Sequence, residues 1–224
     1  MKKITKATLF LHNVSLKASQ IHKFRGFAGR LFSNYDVIHN HSQQSGKPIY
    51  RYPLIQFKLI ESVPAIIAVT DEAVGLFSEI FMKLNSVVID DVQIPVYEKD
   101  LKVETADFGY TEDVFVYEFL SPWIGLNQKN YQQYAQMQDQ YGKADILRGA
   151  VTGNLLSMSK YLKHWLGQDQ KIVTEILLKE NTVNLKGNPL IGFTGVFKVN
   201  FLIPDYLGIG KSVSRGFGTV RRVI

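Results

Sequence analysis

Hydrophobic and polar positions alternate from Ile4 to His12, which predicts a strand. The period then changes. Between Ser15 and Phe32, Ile21, Phe24, Ala28 and Leu31 recur at helical spacing, so a helix with one buried face is expected. Tyr50–Leu59 and Ala65–Val69 read as two more strands, with Glu61-Ser62-Val63-Pro64 as the turn between them. Asp71 can cap a helix that runs to about Leu84 and turns Val74, Phe77, Ile80, Phe81 and Leu84 inward. Val87–Val96 returns as a strand.

That order is βαββαβ, a ferredoxin-like arrangement. The second half repeats it less cleanly. Val114–Leu120 is a strand, Asn127–Tyr141 a polar helix, and Ala144–Leu166 a further helical stretch. Lys171–Glu180 is a strand, and Val183–Leu185 with Leu190–Ile203 forms a hairpin tipped by Lys186-Gly187-Asn188-Pro189. A glycine-rich loop and a strand over Gly218–Val223 close the pattern. The predicted fold class is α+β, with two tandem ferredoxin-like (RRM-like) domains over residues 1–98 and 99–224. The second is elaborated, and the boundary is placed within the acidic stretch Glu98–Thr105.

Charge sharpens this picture. The net charge is +6, but it is unevenly spread. Residues 1–35 hold seven Lys/Arg and no acid, residues 90–118 hold nine acids against two lysines, and residues 119–224 hold thirteen bases against six acids. Two basic ends folded together would make a polyanion-binding face. No run of about 18 apolar residues is present, so no membrane span is expected. The absence of cysteine removes disulfides, thiolate metal sites and a cysteine nucleophile, and it suits a cytoplasmic protein.

The most informative stretch is GIGKSVSRGFG, Gly208–Gly218. Gly210-Lys211-Ser212 imitates the end of a P-loop. However, Asp205 stands where the first glycine belongs, and no helical period follows. Gly208-x-Gly210 could open a dinucleotide fingerprint, but Val213 replaces its third glycine. Arg215-Gly216-Phe217-Gly218-Thr219-Val220 resembles an RNA-recognition signature in which Thr219 replaces the second aromatic. A glycine-rich turn before a last strand is the plain alternative.

Candidate chemistry lies in Tyr35-Asp36-Val37-Ile38-His39-Asn40-His41-Ser42-Gln43-Gln44-Ser45-Gly46-Lys47, a polar segment after the first helix. Histidine suits general acid–base work near neutral pH, and Lys47 could stabilise developing charge on phosphorus. Ordinary polar loop residues are the plain alternative. A metal site at His39, His41 and Asp36 lacks an evident fourth ligand. The first helix carries Lys23, Arg25 and Arg30 without an acid, which suits a phosphate-facing helix; a solvated face is the plain reading. His164 is expected to be a surface or packing residue, and no role is given to His12.

These pieces together resemble the repeat-processing endoribonuclease family of the RAMP superfamily of CRISPR-associated proteins. The closing Gly208-Ile209-Gly210…Arg215-Gly216-Phe217-Gly218-Thr219-Val220 resembles that superfamily's C-terminal glycine loop. Ile38-His39-Asn40-His41, Lys47 and the strand from Tyr50 occupy the places of the family's histidine, lysine and following strand. The resemblance implies cleavage of CRISPR precursor RNA without a metal or cofactor: a ribose 2′-hydroxyl attacks the adjacent phosphate and the 5′-oxygen leaves. It implies His39 or His41 as general acid or base, Lys47 as stabiliser and Tyr35 in positioning. It implies Lys23, Arg25, Arg30, Gly208, Gly210, Lys211, Arg215, Gly216, Phe217 and Gly218 as RNA-binding, the loop offering backbone N–H groups as well as Lys211 and Arg215. CRISPR repeat RNA is then the partner, with other CRISPR-associated proteins or a second copy of the chain as further options. The alternatives are a non-catalytic RNA-binding RAMP subunit of a CRISPR effector complex and a structural module with a basic surface.

Overall fold

The computed structural model describes residues 1–32, 52–185 and 187–223. It is an α+β protein of two compact units. The N-terminal unit comprises Lys3–Ala106 together with Val213–Gly216; the C-terminal unit comprises Met1–Lys2, Asp107–Ser212 and the residues from Phe217 onward.

In the N-terminal unit, strands β1 (Lys2–Leu11), β2 (Ile55–Ile60), β3 (Val63–Val69) and the first half of β6 (Lys99–Trp123) lie in the order β2-β3-β1-β6. Strand alternation sends Ala7, Leu9 and Leu11 of β1, Phe57 of β2 and Ile66 and Ala68 of β3 into one apolar core. Helix α1 (Ile21–Leu31) covers that face with Ile21, Phe24 and Ala28, and the Phe24 ring meets Phe57 edge-on at 5.1 Å between centroids. The helix starts later than its periodicity suggests, because Lys17 is extended and Ala18–Gln20 form a 3-10 turn. Leu31, expected inside, is 44% exposed; the buried face runs on from Phe24 and Ala28 to Phe32. The opposite face of the sheet carries Lys6 and Thr8 of β1 with Gln56 and Lys58 of β2, all buried.

Two expected elements are interrupted. The helix predicted from Asp71 is split into α2 (Asp71–Gly75) and α3 (Phe77–Lys83), with the weak helix former Gly75 at the break. The strand predicted over Val87–Val96 is a hairpin of β4 (Ser86–Ile89) and β5 (Val92–Pro95). Asp90 and Asp91 both take positive φ, 52° and 63°, the backbone of a tight two-residue hairpin loop. The sheet position beside β1 therefore goes to β6 instead of β4. The same device tightens the first turn: Glu61 and Ser62 have φ of 49° and 71°, and Pro64 lies inside β3.

The C-terminal unit is built on the second half of β6, which pairs with β8 (Asn188–Leu202) on one side and β9 (Val220–Val223) on the other; β8 also pairs with β7 (Thr174–Leu185). Its core is aromatic: Tyr117 of β6 stacks on Phe197 of β8, Phe119 meets the same ring at a tilt, and Phe119 stacks on Trp123 at 5.6 Å. Helix α4 (Gln128–Gln136) is capped by the Asn127 side chain, whose Oδ1 accepts from the Asn130 N–H at 2.8 Å. Helix α5 (Gln140–Tyr161) is capped by Asp139 and buries Leu147, Val151, Leu155 and Met158. The acidic stretch that suggested a boundary is regular strand, and β6 passes from one unit to the other.

Candidate functional site

The glycine-rich loop is tied down before it offers anything to a ligand. In the C-terminal unit, the Ile209 N–H donates to the Gly218 carbonyl and the Gly218 N–H to the Pro122 carbonyl, both at 2.9 Å. The Lys211 N–H donates to the Ile124 carbonyl at 2.8 Å, and Gly208 bridges Thr219 across the base of the loop. These amides hold the loop to the unit and are not aimed at a ligand. Glycine is required at two of the positions. Gly218 has φ +61°, and a Cβ there would lie 2.1 Å from the Ile209 carbonyl oxygen. Gly210 has φ +89°, and its Cβ would meet Trp123 Nε1 at 2.6 Å. No helix of nucleotide-site length follows Ser212, only the 3-10 turn Val213–Arg215.

That turn belongs to the N-terminal unit and brings cations together. Val213 is buried, and its carbonyl accepts a hydrogen bond from the Lys58 ammonium at 3.2 Å. Lys58 is fully buried on β2, and burial lowers its pKa from 10.5 to about 7. Gly216, the next residue, lies against Ile21 at the start of α1; a Cβ there would meet Ile21 Cγ2 at 3.1 Å. The α1 residue Arg25 has its Nε buried with no hydrogen-bond partner. Burial first, and the Arg215 guanidinium second, hold the Arg25 pKa below that of a free arginine. The arrangement can do one thing well, which is to receive a negatively charged group.

The chain matches the Cas6b N-terminal domain over residues 2–107 and the Cas6b C-terminal domain over residues 109–223. The chain belongs to the Cas6b family. A crystal structure of Cas6b is 33% identical with a TM-score of 0.92, covering 99% of this chain and all of that one. A crystal structure of the CRISPR RNA processing endoribonuclease Cas6b is 31% identical with a TM-score of 0.80, over the same shares. An uncharacterized protein of Methanocaldococcus jannaschii is 49% identical over 123 residues, 54% of this chain and 82% of that protein.

The sequence-derived candidates fare unevenly. Arg25, Arg215 and Gly216 come together in the N-terminal unit. Lys23 is turned to an ion pair with Asp90, whose carboxyl it holds below the usual range. Arg30 and Lys211 are exposed. Gly208, Gly210 and Gly218 shape the loop within the C-terminal unit, where Phe217 also lies. Tyr35, His39, His41 and Lys47 lie outside the described residues. His164 is a packing residue set edge-on to Phe108 and Phe201. Sequence reasoning missed Lys58. The alternation Gln56-Phe57-Lys58-Leu59 marked a polar strand face, but nothing in it signalled that this face would be buried.

Proposed function

We propose that this chain is an endoribonuclease that cuts CRISPR precursor RNA within its repeat to release guide RNAs. The observation that carries the reading is the likeness, along nearly the whole length and at 31% identity, to a structure named a CRISPR RNA processing endoribonuclease. One feature agrees with it: Arg25 and Arg215 come together in the N-terminal unit, the latter on a turn whose Val213 carbonyl accepts from Lys58. We read the architecture as tandem ferredoxin-like domains, the second elaborated. The order β1-α1-β2-β3-α2-α3-β6, with β4 and β5 as a hairpin outside the sheet β2-β3-β1-β6, supports this for the first half.

In this reading the 2′-hydroxyl oxygen attacks the adjacent phosphorus. Its proton goes to a base, and the 5′-oxygen leaves with a proton from an acid. The products are a cyclic phosphate and a 5′-hydroxyl. His39 or His41 serves as general acid or base, Lys47 stabilises the phosphorane and Tyr35 helps position the substrate. No metal takes part. Lys23, Arg25, Arg30, Lys211, Arg215 and Phe217 contact the RNA.

The test is cleavage of labelled CRISPR repeat RNA from the same genome in EDTA, beside a copy with one 2′-deoxy at the cut site. Cutting of the all-ribose RNA alone is expected, and His39→Ala with His41→Ala abolishes it while binding persists. Tight binding without cutting would make the chain a non-catalytic RNA-binding subunit. No binding at moderate salt would make it a structural module.

A further inference from the structure

Two arginines, Arg25 and Arg215, stand close together in the N-terminal unit. Arg25 comes from α1 and Arg215 from the turn Val213–Arg215, and contact between these elements is fixed by Gly216 against Ile21. Among the described residues neither side chain is in an ion pair with a carboxylate. Arg25 Nε is buried and without an acceptor. A guanidinium carries five N–H donors and no acceptor, so a buried unmet N–H costs about 1–3 kcal/mol. A second cation nearby adds repulsion. Folded chains keep such an arrangement where something removes the cost, and an oxyanion removes both parts of it. It accepts from both forks and cancels the repulsion.

The turn is also anchored from beneath. The Lys58 ammonium, on the buried face of β2, donates to the Val213 carbonyl, two residues from Arg215. Gly216 N–H donates back to the same carbonyl at 3.2 Å. Lys58 is thus placed to set where the Arg215 backbone sits without reaching the ligand itself.

We propose that Arg25 and Arg215 form a two-guanidinium clamp for a single phosphate of the RNA backbone, with Lys58 as a positioning residue that holds the Arg215 turn in register. The inference rests on the RNA-binding reading, and it predicts behaviour that can be measured without RNA.

Inorganic sulfate serves as the probe. Sulfate is expected to raise the thermal midpoint of the wild-type chain saturably at constant ionic strength. Arg25→Gln and Arg215→Gln are each expected to lose that response, and neither should lower the midpoint in sulfate-free buffer. Equal sulfate responses in wild type and in the double variant would overturn the clamp. With repeat RNA, the double variant should bind roughly tenfold more weakly, and the slope of log affinity against log salt should fall by about one. Arg215→Lys keeps the charge but not the fork, so it should retain the salt slope and lose affinity. Lys58→Met, which leaves both guanidiniums in place, should weaken RNA binding without altering the salt slope. If the double variant binds RNA with the wild-type slope, the clamp fails and the RNA reading stands. If wild type responds to sulfate through these arginines but binds no RNA, the anion site stands and its assignment to RNA phosphate falls.

Discussion

Replacing Lys58 with methionine should stabilise the protein at neutral and acid pH and erase a pH dependence that reaches into the alkaline range. Methionine keeps the length of the side chain and removes the charge. In the folded chain Lys58 titrates near 7, against 10.5 for an exposed lysine. Between those two values the unfolded chain holds a proton that the folded chain has released, so wild-type stability rises with pH across this window. Below pH 7 the folded lysine is charged and the burial penalty is present in full. At about 1.4 kcal/mol per pH unit the whole gap corresponds to roughly 5 kcal/mol. The variant loses the hydrogen bond to the Val213 carbonyl, a loss of about 1 kcal/mol. At pH 6 it should therefore exceed wild type by up to roughly 4 kcal/mol, and above pH 10.5 it should fall slightly below it. Urea unfolding of both proteins from pH 6 to pH 10.5, taken as a difference, isolates this group. Tyr117 and Tyr134, whose pKa values are raised, titrate alike in both proteins and cancel. A difference that stays flat over that range would refute the reasoning.

Further outcomes follow from other parts of the structure. Gly218→Ala places a methyl 2.1 Å from the Ile209 carbonyl oxygen at a φ of +61°, so it should destabilise by about 2 kcal/mol or more, read as a lower urea midpoint. His164 has its pKa lowered by burial and by the chain amino group and Lys2, so its contribution is complete above pH 6.5 and is lost as pH falls below that value. His164→Phe should flatten that acid-side slope in thermal unfolding. Trp123→Phe removes the indole N–H that donates to Asn154 Oδ1 at 3.1 Å, and should lower stability by about 1–3 kcal/mol in the same assay.

The sequence carried most of the elements of this fold, and the differences have specific causes. The face of α1 was visible in Ile21, Phe24 and Ala28 because a 3.6-residue period needs only local information. The β7–β8 hairpin was visible because Gly187 and its neighbours mark a turn between two β-rich runs. The place of β6 beside β1 was hidden, because strand neighbours are chosen by pairing between distant residues and not by local pattern. Asp90 and Asp91 lie inside the predicted continuous strand Val87–Val96, and only the backbone shows them turning a hairpin. The candidate site was legible in part. Arginine and glycine in Gly208–Gly218 suggested an anion-binding loop. That the glycines serve close packing, and that Arg215 meets Arg25 beside a buried lysine, depends on contacts across most of the chain's length.

The N-terminal unit contains Val213–Gly216, which follow Ala106 in the chain only after the C-terminal unit has been traversed. During synthesis, β1 to β5 leave the ribosome early, yet Lys58 has no Val213 carbonyl to bind until residue 213 emerges. The first half can collapse around Phe24, Phe57 and Phe77 before the turn Val213–Gly216 is available to it. A ribosome that stops before residue 213 would leave a chain with its aromatic core assembled and without the turn that carries Arg215. The N-terminal unit is therefore completed by residues translated after most of the C-terminal unit.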